Sequence, residues 1–352
     1  MPEGPEISAI LTTHNRAHLL PRVLEGFRAQ RLPPDRYELL VVDDGSSDGT
    51  TAVLDAYRGK LPMRVVRQNA AGLAAAKNLG IFMSRSPILL FVDDDDVPST
   101  DMLIGHLSGH LRYQERGAII LGHTVLAPEI ADLPLMRHVT GAGGQLFSQG
   151  WMQPWQGLTF REFWGGRSSV KRALLVEFGV FNPIFRFGCE DIELAWRLER
   201  VHGISVIYQP AALTTMIRGL GFDDFCRRSI RQGRSQWAFA SLHPNEDVRA
   251  YCEIDQGLAA WSAAATDFAA ILRRVRGLDR MMQMRGPRAP PLTAQSQVEL
   301  DGGYREAFFL CRAKGIADAA CLPAPARPLD AAEVSRLGLL DRPASLETRL
   351  LA

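Results

Sequence analysis

Four consecutive aspartates at residues 93–96 are the most distinctive chemical feature of this sequence. They directly follow a mainly apolar segment, residues 87–92, whose composition predicts a buried strand. Adjacent carboxylates repel one another, so crowding them is costly without a counter-charge. Carboxylate oxygens suit Mg²⁺ or Mn²⁺, which retain water ligands and bridge to the phosphate groups of a substrate. The acidic run therefore predicts a divalent-metal site, and the alternative is a solvated acidic turn at a helix N-terminus.

A second acidic pair, Asp43 and Asp44, ends the apolar segment 39–42 and precedes a turn of sequence Gly-Ser-Ser-Asp-Gly-Thr. A carboxylate at such a position can accept a hydrogen bond from the base or the ribose of a nucleotide. Gly45 allows the chain to turn tightly there. The alternative is a simple capping turn, in which a serine opens the next helix.

A third acidic group, Glu190, Asp191 and Glu193, falls at the start of a helix predicted over residues 187–201. A carboxylate in this position can serve as a general base that takes a proton from an attacking hydroxyl. We expect Glu190 and Glu193 to raise the pKa of Asp191 by like-charge repulsion. The alternative is an acidic helix N-terminus that the helix dipole stabilises.

Strands alternating with helices must position these groups. Strands are predicted at residues 7–11, 39–42, 64–67 and 87–92, with helices between them, which indicates an α/β fold with a mostly parallel sheet. Ligands bind outside the carboxyl ends of the strands in such sheets. Three polar loops, at residues 12–16, 43–50 and 93–96, fall at those ends, so we expect them to share one site.

The remainder of the chain is less regular. The pattern predicts a strand at 204–208, helices at 222–242 and 257–275, a mobile or substrate-covering segment at 141–166, and a linker at 285–297. Near-helical spacing also places Arg227, Arg228, Arg231 and Arg234 together. They could bind donor phosphate, an anionic acceptor or a lipid diphosphate. The favoured alternative is a solvated helix face.

Composition limits the class of protein. A formal net charge of +1 argues against a broad nucleic-acid-binding surface. No apolar run approaches the roughly 20 residues that span a bilayer, and no signal peptide is present, so we expect a cytoplasmic protein. Peripheral contact with the inner face of the membrane is left open. Five cysteines without CxxC spacing favour reduced thiols over disulfides or a zinc site.

The order and spacing of several motifs resemble the family 2 glycosyltransferases, which are inverting enzymes with the GT-A fold. The resemblance covers roughly residues 6–243 and rests on segments 7–16, 40–50, 71–80, 90–98, 165–172 and 179–194. It implies a catalytic domain over residues 1–245, with a nucleotide-sugar-binding half at 1–100 and an acceptor half at 101–245. A helical extension at 246–320 and a loosely ordered tail at 321–352 would follow.

The resemblance also implies roles for single residues. Binding of the donor nucleotide falls to Thr12, His14, Asn15, Asp44, Lys77 and Asp93. Asp95 matches the metal-binding aspartate of the family, with Asp93 as its helper, and the cofactor would be Mn²⁺ or Mg²⁺. Asp191 matches the catalytic base, next to Glu190.

The implied reaction moves a sugar from a nucleotide-diphosphate sugar, with a UDP-sugar favoured, to a hydroxyl of a sugar, a lipid-linked or a small-molecule acceptor. Departures from the family pattern support an alternative, a catalytically silent binding or scaffold protein on the same fold. His14 stands where tyrosine is common and Lys77 where arginine is common. Residues 210–216 lack the late histidine of many metal-using members, and His243 is the next candidate for a third metal ligand.

Overall fold

One mixed sheet organises the chain. The computed structural model describes residues 4–284 and 293–321, and within them nine strands join in that sheet. The strands are β1 (Ile7–Thr13), β2 (Tyr37–Asp43), β3 (Met63–Arg67), β4 (Ile88–Val92), β5 (Asp96–Pro98), β6 (Ala118–Leu126), β7 (Gly157–Leu158), β8 (Ser168–Lys171) and β9 (Ser205–Met216).

Helices flank the sheet and form the C-terminal part of the described chain. They are α1 (Leu20–Arg28), α2 (Thr50–Tyr57), α3 (Leu73–Met83), α4 (Met102–Arg112), α5 (Pro128–Ala131), α6 (Pro134–Thr140), α7 (Arg172–Phe178), α8 (Glu190–Val201), α9 (Phe222–Leu242), α10 (Glu246–Tyr251), α11 (Ile254–Ala264), α12 (Phe268–Gln283) and α13 (Ala294–Ala320). None of these helices is both long and apolar enough to cross a lipid bilayer.

The first four strands form the parallel half of the sheet, as the alternating pattern predicts. β1 pairs in parallel with β2 on one side and β4 on the other, and β2 pairs in parallel with β3. Every residue of β1 and β2 is buried, because helices cover both faces of a parallel sheet. The carboxyl ends of β1, β2 and β4 therefore meet at one edge, where the three polar loops follow.

The second half of the sheet is mixed. β8 runs antiparallel between β4 and β6, and β9 lies parallel to β6. The strand predicted at 204–208 extends further, to Met216, and its far end pairs with β5. That pairing sets Asp96 opposite Met216 and fixes the acidic run in a turn between β4 and β5.

The C-terminal helices correct two predictions. The single helix predicted over 257–275 is wrong, because a turn at residues 265–267 separates α11 from α12. That turn lets Phe268, Ile271 and Leu272 pack against the main apolar core. The predicted linker is also wrong for residues 294–297, which open α13, while residues 285–292 lie outside the described residues. Residues 322–352 of the predicted tail lie outside them as well.

α13 packs along α9 and contributes to the main core. Its fully or nearly fully buried residues include Leu300, Tyr304, Phe308 and Cys311, which belong to the same apolar cluster as residues of β1 and β2. The predicted helical extension thus shares its core with the sheet.

Candidate functional site

A cleft of about 1390 Å³ opens at the carboxyl edge of the parallel strands. Every site residue predicted from the sequence lines it: Thr12, His14, Asn15, Asp44, Lys77, Asp93, Asp95, Glu190 and Asp191. The strand ends, the loops that follow them and α3 supply the first seven, and the start of α8 supplies the last two, about a hundred residues later. One cavity therefore collects acids from both halves of the chain.

Asp93 and Asp95 are the members of the acidic run that carry a metal prediction, and both face the cleft. Arg167 Nη2 lies 3.4 Å from Asp93 Oδ2, and Arg218 Nη1 lies 3.4 Å from Asp95 Oδ2. These long contacts leave lone pairs of both carboxylates available to a ligand in the cleft.

Asp94 and Asp96 differ from each other. Asp94 also faces the cleft, 3.5 Å from Arg16 Nε. Asp96 does not line the cleft and is fully buried, where Arg167 and Thr214 contact it at 3.2 and 3.3 Å. Arg167 thus ties the buried end of the run to its exposed end, and Asp96 anchors the turn.

The acidic turn holds more negative charge than its surroundings readily stabilise. Burial raises the pKa of Asp94, Asp95 and Asp96, and repulsion between neighbouring carboxylates raises it further. A bound cation would relieve that cost. No group of three or more His, Cys, Asp or Glu side chains is placed to hold a metal within the described ranges. Two carboxylates nevertheless fit Mg²⁺ or Mn²⁺, which commonly take one or two protein carboxylates and complete their shell with water and phosphate oxygens.

Gly165 and Gly166 bring the two sides of the cleft together. A Cβ on Gly166 would lie 1.9 Å from Asp93 Oδ2, and a Cβ on Gly165 would lie 2.7 Å from Lys77 Nζ. The Gly166 carbonyl accepts the Asp93 backbone N–H at 3.3 Å, and the Gly165 N–H donates to Asp191 Oδ2 at 3.0 Å. Only residues without side chains allow this approach.

Asp191 is the second residue of α8. Gly188 and Cys189 adopt left-handed backbone angles, with φ of 75° and 62°, and turn the chain into the helix. Burial raises the pKa of Asp191 to about 6, the charge of Glu190 adds to the rise, and Lys77 opposes it. The carboxyl is therefore ionised at neutral pH and remains basic enough to accept a proton.

Glu193 and His243 pair with each other instead of serving the site. His243 Nε2 lies 2.8 Å from Glu193 Oε1, and Arg197 also binds Glu193, at 2.7 Å. Glu193 is not among the main causes of the raised pKa of Asp191, so the predicted like-charge repulsion comes from Glu190. His243 does not line the cleft, so it is not placed to act as a third metal ligand.

Lys77 forms a buried ion pair in the wall of the cleft. Its Nζ lies 3.0 Å from Glu190 Oε1, and both side chains are less than 5% exposed. Burial by itself lowers the pKa of Lys77, but the charges of its acidic neighbours outweigh that effect and raise it. These neighbours are Glu190, Asp191 and Asp93. One ammonium group therefore interacts with acids on both sides of the cleft.

Hydrogen bonds join the loops that follow β1 and β2. His14 Nδ1 lies 2.8 Å from the Asp44 carbonyl oxygen, and Asn15 Oδ1 accepts the Ser47 N–H at 2.8 Å. These contacts fix the orientation of the His14 ring at the cleft wall. Thr12 is buried at the end of β1, next to Val42 of β2.

The Asp44 carboxylate is largely occupied within the chain. It accepts hydrogen bonds from Gln68 Nε2 at 2.7 Å and from the backbone N–H groups of Ala71 and Gly72 at 2.8 and 2.9 Å. A carboxylate has about four acceptor positions, so about one remains for a ligand. Asp44 thus also shapes the loop that leads into α3.

Arg167 and Arg218, which contact the acidic turn, carried no sequence prediction. Arg167 immediately follows the Gly165-Gly166 pair, and that position in a glycine-rich motif was the available signal. Arg218 follows β9 without a recognisable motif, and only the pairing of β9 with β5 brings it to Asp95.

The arginines of α9 separate into two sets. Arg227 and Arg234 lie on the exposed side, paired with Asp224 and Asp318. Arg228 and Arg231 line the cleft. The favoured prediction of a solvated helix face therefore holds for Arg227 and Arg234 and also for Arg231, which is exposed although it lines the cleft, and it is wrong for the half-buried Arg228.

Several known proteins are similar to this chain in sequence. The sequence profile of the family described as glycosyl transferase family 2 matches residues 8–156. Validoxylamine A glucosyltransferase of Streptomyces hygroscopicus subsp. limoneus is 28% identical over 223 residues, 57% of this chain and 49% of that protein. Glycosyltransferase AglE of Haloferax volcanii is 30% identical over 122 residues, 34% of this chain and 36% of that protein.

A solved structure shares the fold. The mannosyltransferase PcManGT of Pyrobaculum calidifontis, in complex with GDP-Man and Mn²⁺, matches with a TM-score of 0.56 and 19% identity, covering 89% of this chain and 87% of that chain. This likeness confirms the predicted GT-A fold class. The chain spans about half the length of the two validoxylamine A glucosyltransferases it matches, 49% and 52%.

Proposed function

We propose that the chain, whose residues 8–156 match the model of glycosyl transferase family 2, transfers a sugar from a nucleotide-diphosphate sugar to an acceptor hydroxyl, with inversion at the sugar carbon. One observation carries the proposal. Asp191 shares a single cleft with Asp93 and Asp95, and the charge of Lys77 acts on Asp191 and on Asp93. Two acidic groups with separate surroundings in one cavity suit a reaction that stabilises a leaving diphosphate and removes a proton.

The donor nucleotide would bind along the ends of β1 and β2. Thr12, His14 and Asn15 line that wall, and the free acceptor position of Asp44 would receive a donor group of the base. A UDP-sugar remains the first candidate, and GDP-mannose is the second because PcManGT is bound to it.

Asp93 and Asp95 would hold Mn²⁺ or Mg²⁺ against the donor diphosphate. A divalent ion there supplies positive charge that stabilises the departing nucleoside diphosphate. Arg218, beside Asp95, adds a fixed positive charge in the same region. The complex of PcManGT with Mn²⁺ supports this role for a metal.

Asp191 would accept the proton of the attacking hydroxyl. The Gly165 N–H holds one carboxylate oxygen at 3.0 Å, and the Ile192 N–H holds the other at 2.9 Å, so the group is fixed in orientation. Attack from the side of Asp191, with the diphosphate leaving toward Asp93 and Asp95, inverts the sugar carbon. A lipid-linked acceptor would bring the protein to the inner face of the membrane, whereas a sugar or small-molecule acceptor would not.

The first experiment screens a panel of nucleotide sugars for hydrolysis and transfer in the presence of Mn²⁺ or Mg²⁺, followed by Asp191→Asn. We expect Asp191→Asn to lower kcat by about 100-fold or more, because a positioned general base contributes about 10²–10⁴-fold. Donor affinity, measured by calorimetry, should change little. Glu199→Gln, a neutralised acid on the same helix that does not line the cleft, is the matched control and should retain activity.

Three results would contradict the proposal in different ways. Full activity of Asp191→Asn would exclude Asp191 as the base. Activity that EDTA does not suppress would exclude the proposed metal-binding role of Asp93 and Asp95. Absence of metal-linked binding to every nucleoside diphosphate would instead favour the catalytically silent scaffold.

A further inference from the structure

One wall of the cleft is strongly basic. The residues that α9 and α13 contribute to the lining include Arg228, Arg231, Arg305 and Arg312, which we name the arginine wall. Within the described part of these two helices, no aspartate or glutamate lines the cleft. The wall therefore presents a concentration of positive charge to whatever enters the cavity.

The arginines of these helices differ in whether a carboxylate pairs with them. The outward arginines, Arg227 and Arg234, each pair with an acid, Asp224 and Asp318. Arg228, Arg231 and Arg305 have no ion pair with any residue that the structure describes. The solvent-facing arginines of α9 are thus paired with carboxylates, whereas its cleft-facing arginines, Arg228 and Arg231, have no such partner among the described residues.

The inner arginines of α9 are nevertheless held in place. The guanidinium groups of Arg228 and Arg231 lie 5.0 and 4.2 Å from the centre of the Phe187 ring. An aromatic face supports a cation without removing its charge or occupying its N–H donors. Burial lowers the pKa of both arginines; the charges of Asp93 and Asp95 oppose this change at Arg228, and repulsion from Arg218 adds to it at both. A bound anion would offset both effects.

The wall extends from the donor side to the side of the catalytic base. Asp93 and Asp95 act electrostatically on Arg228, so this arginine is near the acids proposed to hold the metal. Arg312 pairs with Glu253, which follows closely after Tyr251 in the chain. Burial raises the pKa of Tyr251, and Cys189 and Asp191 raise it further, which places Tyr251 near the base. The donor diphosphate proposed to lie at Asp93 and Asp95 would therefore occupy only the Arg228 end of this surface.

We propose that the arginine wall binds a negatively charged group, phosphate or carboxylate, on the acceptor. This inference rests on the proposed function, because it assigns the remaining half of the same cleft to the second substrate. Guanidinium groups bind both anions through paired N–H donors. The wall would hold the anion while the acceptor hydroxyl points toward Asp191.

Calorimetry on the full chain tests this directly. The protein is first saturated with Mn²⁺ and the nucleoside diphosphate that binds best, and glucose 6-phosphate, glucuronate and methyl glucoside are then titrated. We expect at least one of the two anionic probes to bind more tightly than the neutral methyl glucoside. Arg231→Gln combined with Arg305→Gln should weaken that binding by about tenfold or more, since a hydrogen bond to a charged group is worth about 1.5–3 kcal/mol.

The matched control is Arg227→Gln combined with Arg234→Gln, which removes the same number of charges, both from α9, but outside the cleft. It should leave anion binding unchanged. Equal binding of all three probes, or no effect of the inner double variant, would overturn the inference. Loss of anion binding once the nucleotide is present would assign the wall to the donor. Failure of every nucleoside diphosphate to bind would count against the proposed function, while the anion titration on the free protein would still report on the wall.

Discussion

Asp191 can accept a proton only while its carboxyl is ionised. Its pKa is raised to about 6, first by burial and then by Glu190, so protonation should remove the base well above the range of an ordinary carboxyl. We predict that kcat/KM falls tenfold for each unit of pH below about 6 and is level above it until another group titrates. The measurement is the pH dependence of sugar transfer at fixed metal concentration.

The variant Glu190→Gln distinguishes protonation of Asp191 from a nonspecific loss of activity at low pH. Removing the negative charge of Glu190, while Lys77 stays positive, should move the acid limb to lower pH. Retention of the folded state at each pH is checked by circular dichroism. An acid limb near pH 4 in the unmodified protein, or one that Glu190→Gln leaves in place, would show that Asp191 does not control the rate.

At the scale of elements, the two-glycine loop before β8 sets the spacing between the acids. We predict that Gly166→Ala raises the Mn²⁺ concentration needed for half-maximal activity about 10- to 100-fold, as loss of a residue supporting a metal ligand typically does. The reason is steric, because the added Cβ would lie 1.9 Å from Asp93 Oδ2 and must displace that carboxylate. Half-maximal Mn²⁺ is measured by titration of transfer activity.

Gly157→Ala is the control in the same region of the chain. Its added Cβ would meet only Ser205 Oγ, at 4.0 Å, which is an ordinary contact distance. Metal dependence should be unchanged in that variant. Equal behaviour of the two alanine variants would mean that Gly166 does not position Asp93 for a metal.

The same elements show what could be predicted from the sequence. The acids at the ends of β2 and β4 could be placed together, because parallel strands bring their carboxyl ends to one edge. Arg218 could not, because its contact with Asp95 depends on the pairing of β5 with β9, which no local pattern encodes. The break between α11 and α12 was missed for a similar reason. Its alanine-rich sequence keeps helical spacing, and only packing against the core requires the turn.

At the scale of the whole molecule, the packing of α13 against α9 places residues of both helices in the cleft. The two helices cross at glycines: a Cβ on Gly315 would lie 2.0 Å from the Ile230 carbonyl oxygen, and a Cβ on Gly233 would lie 2.0 Å from that of Arg312. This close approach carries Arg305 and Arg312 to the cleft, although α13 lies far from the sheet in sequence. The contribution of α13 to the cleft could therefore not be predicted from its sequence, because the pattern of this helix is only weakly amphipathic.

We predict that Gly315→Ala destabilises the protein by about 1–3 kcal/mol, the usual cost of overpacking, because the added methyl group must push α13 away from α9. Gly302→Ala, on the same helix with no atom within 4 Å of the added Cβ, should instead stabilise it by up to about 1 kcal/mol through helix propensity. Both free energies of unfolding come from urea denaturation. Displacement of α13 should also weaken binding of the anionic probes more than binding of the nucleoside diphosphate, since the residues proposed to bind the donor lie on β1, β2, α3 and the loops after β1, β2 and β4. Equal stability of the two variants, or equal loss of both ligands, would mean that the helix crossing does not build the acceptor side of the cleft.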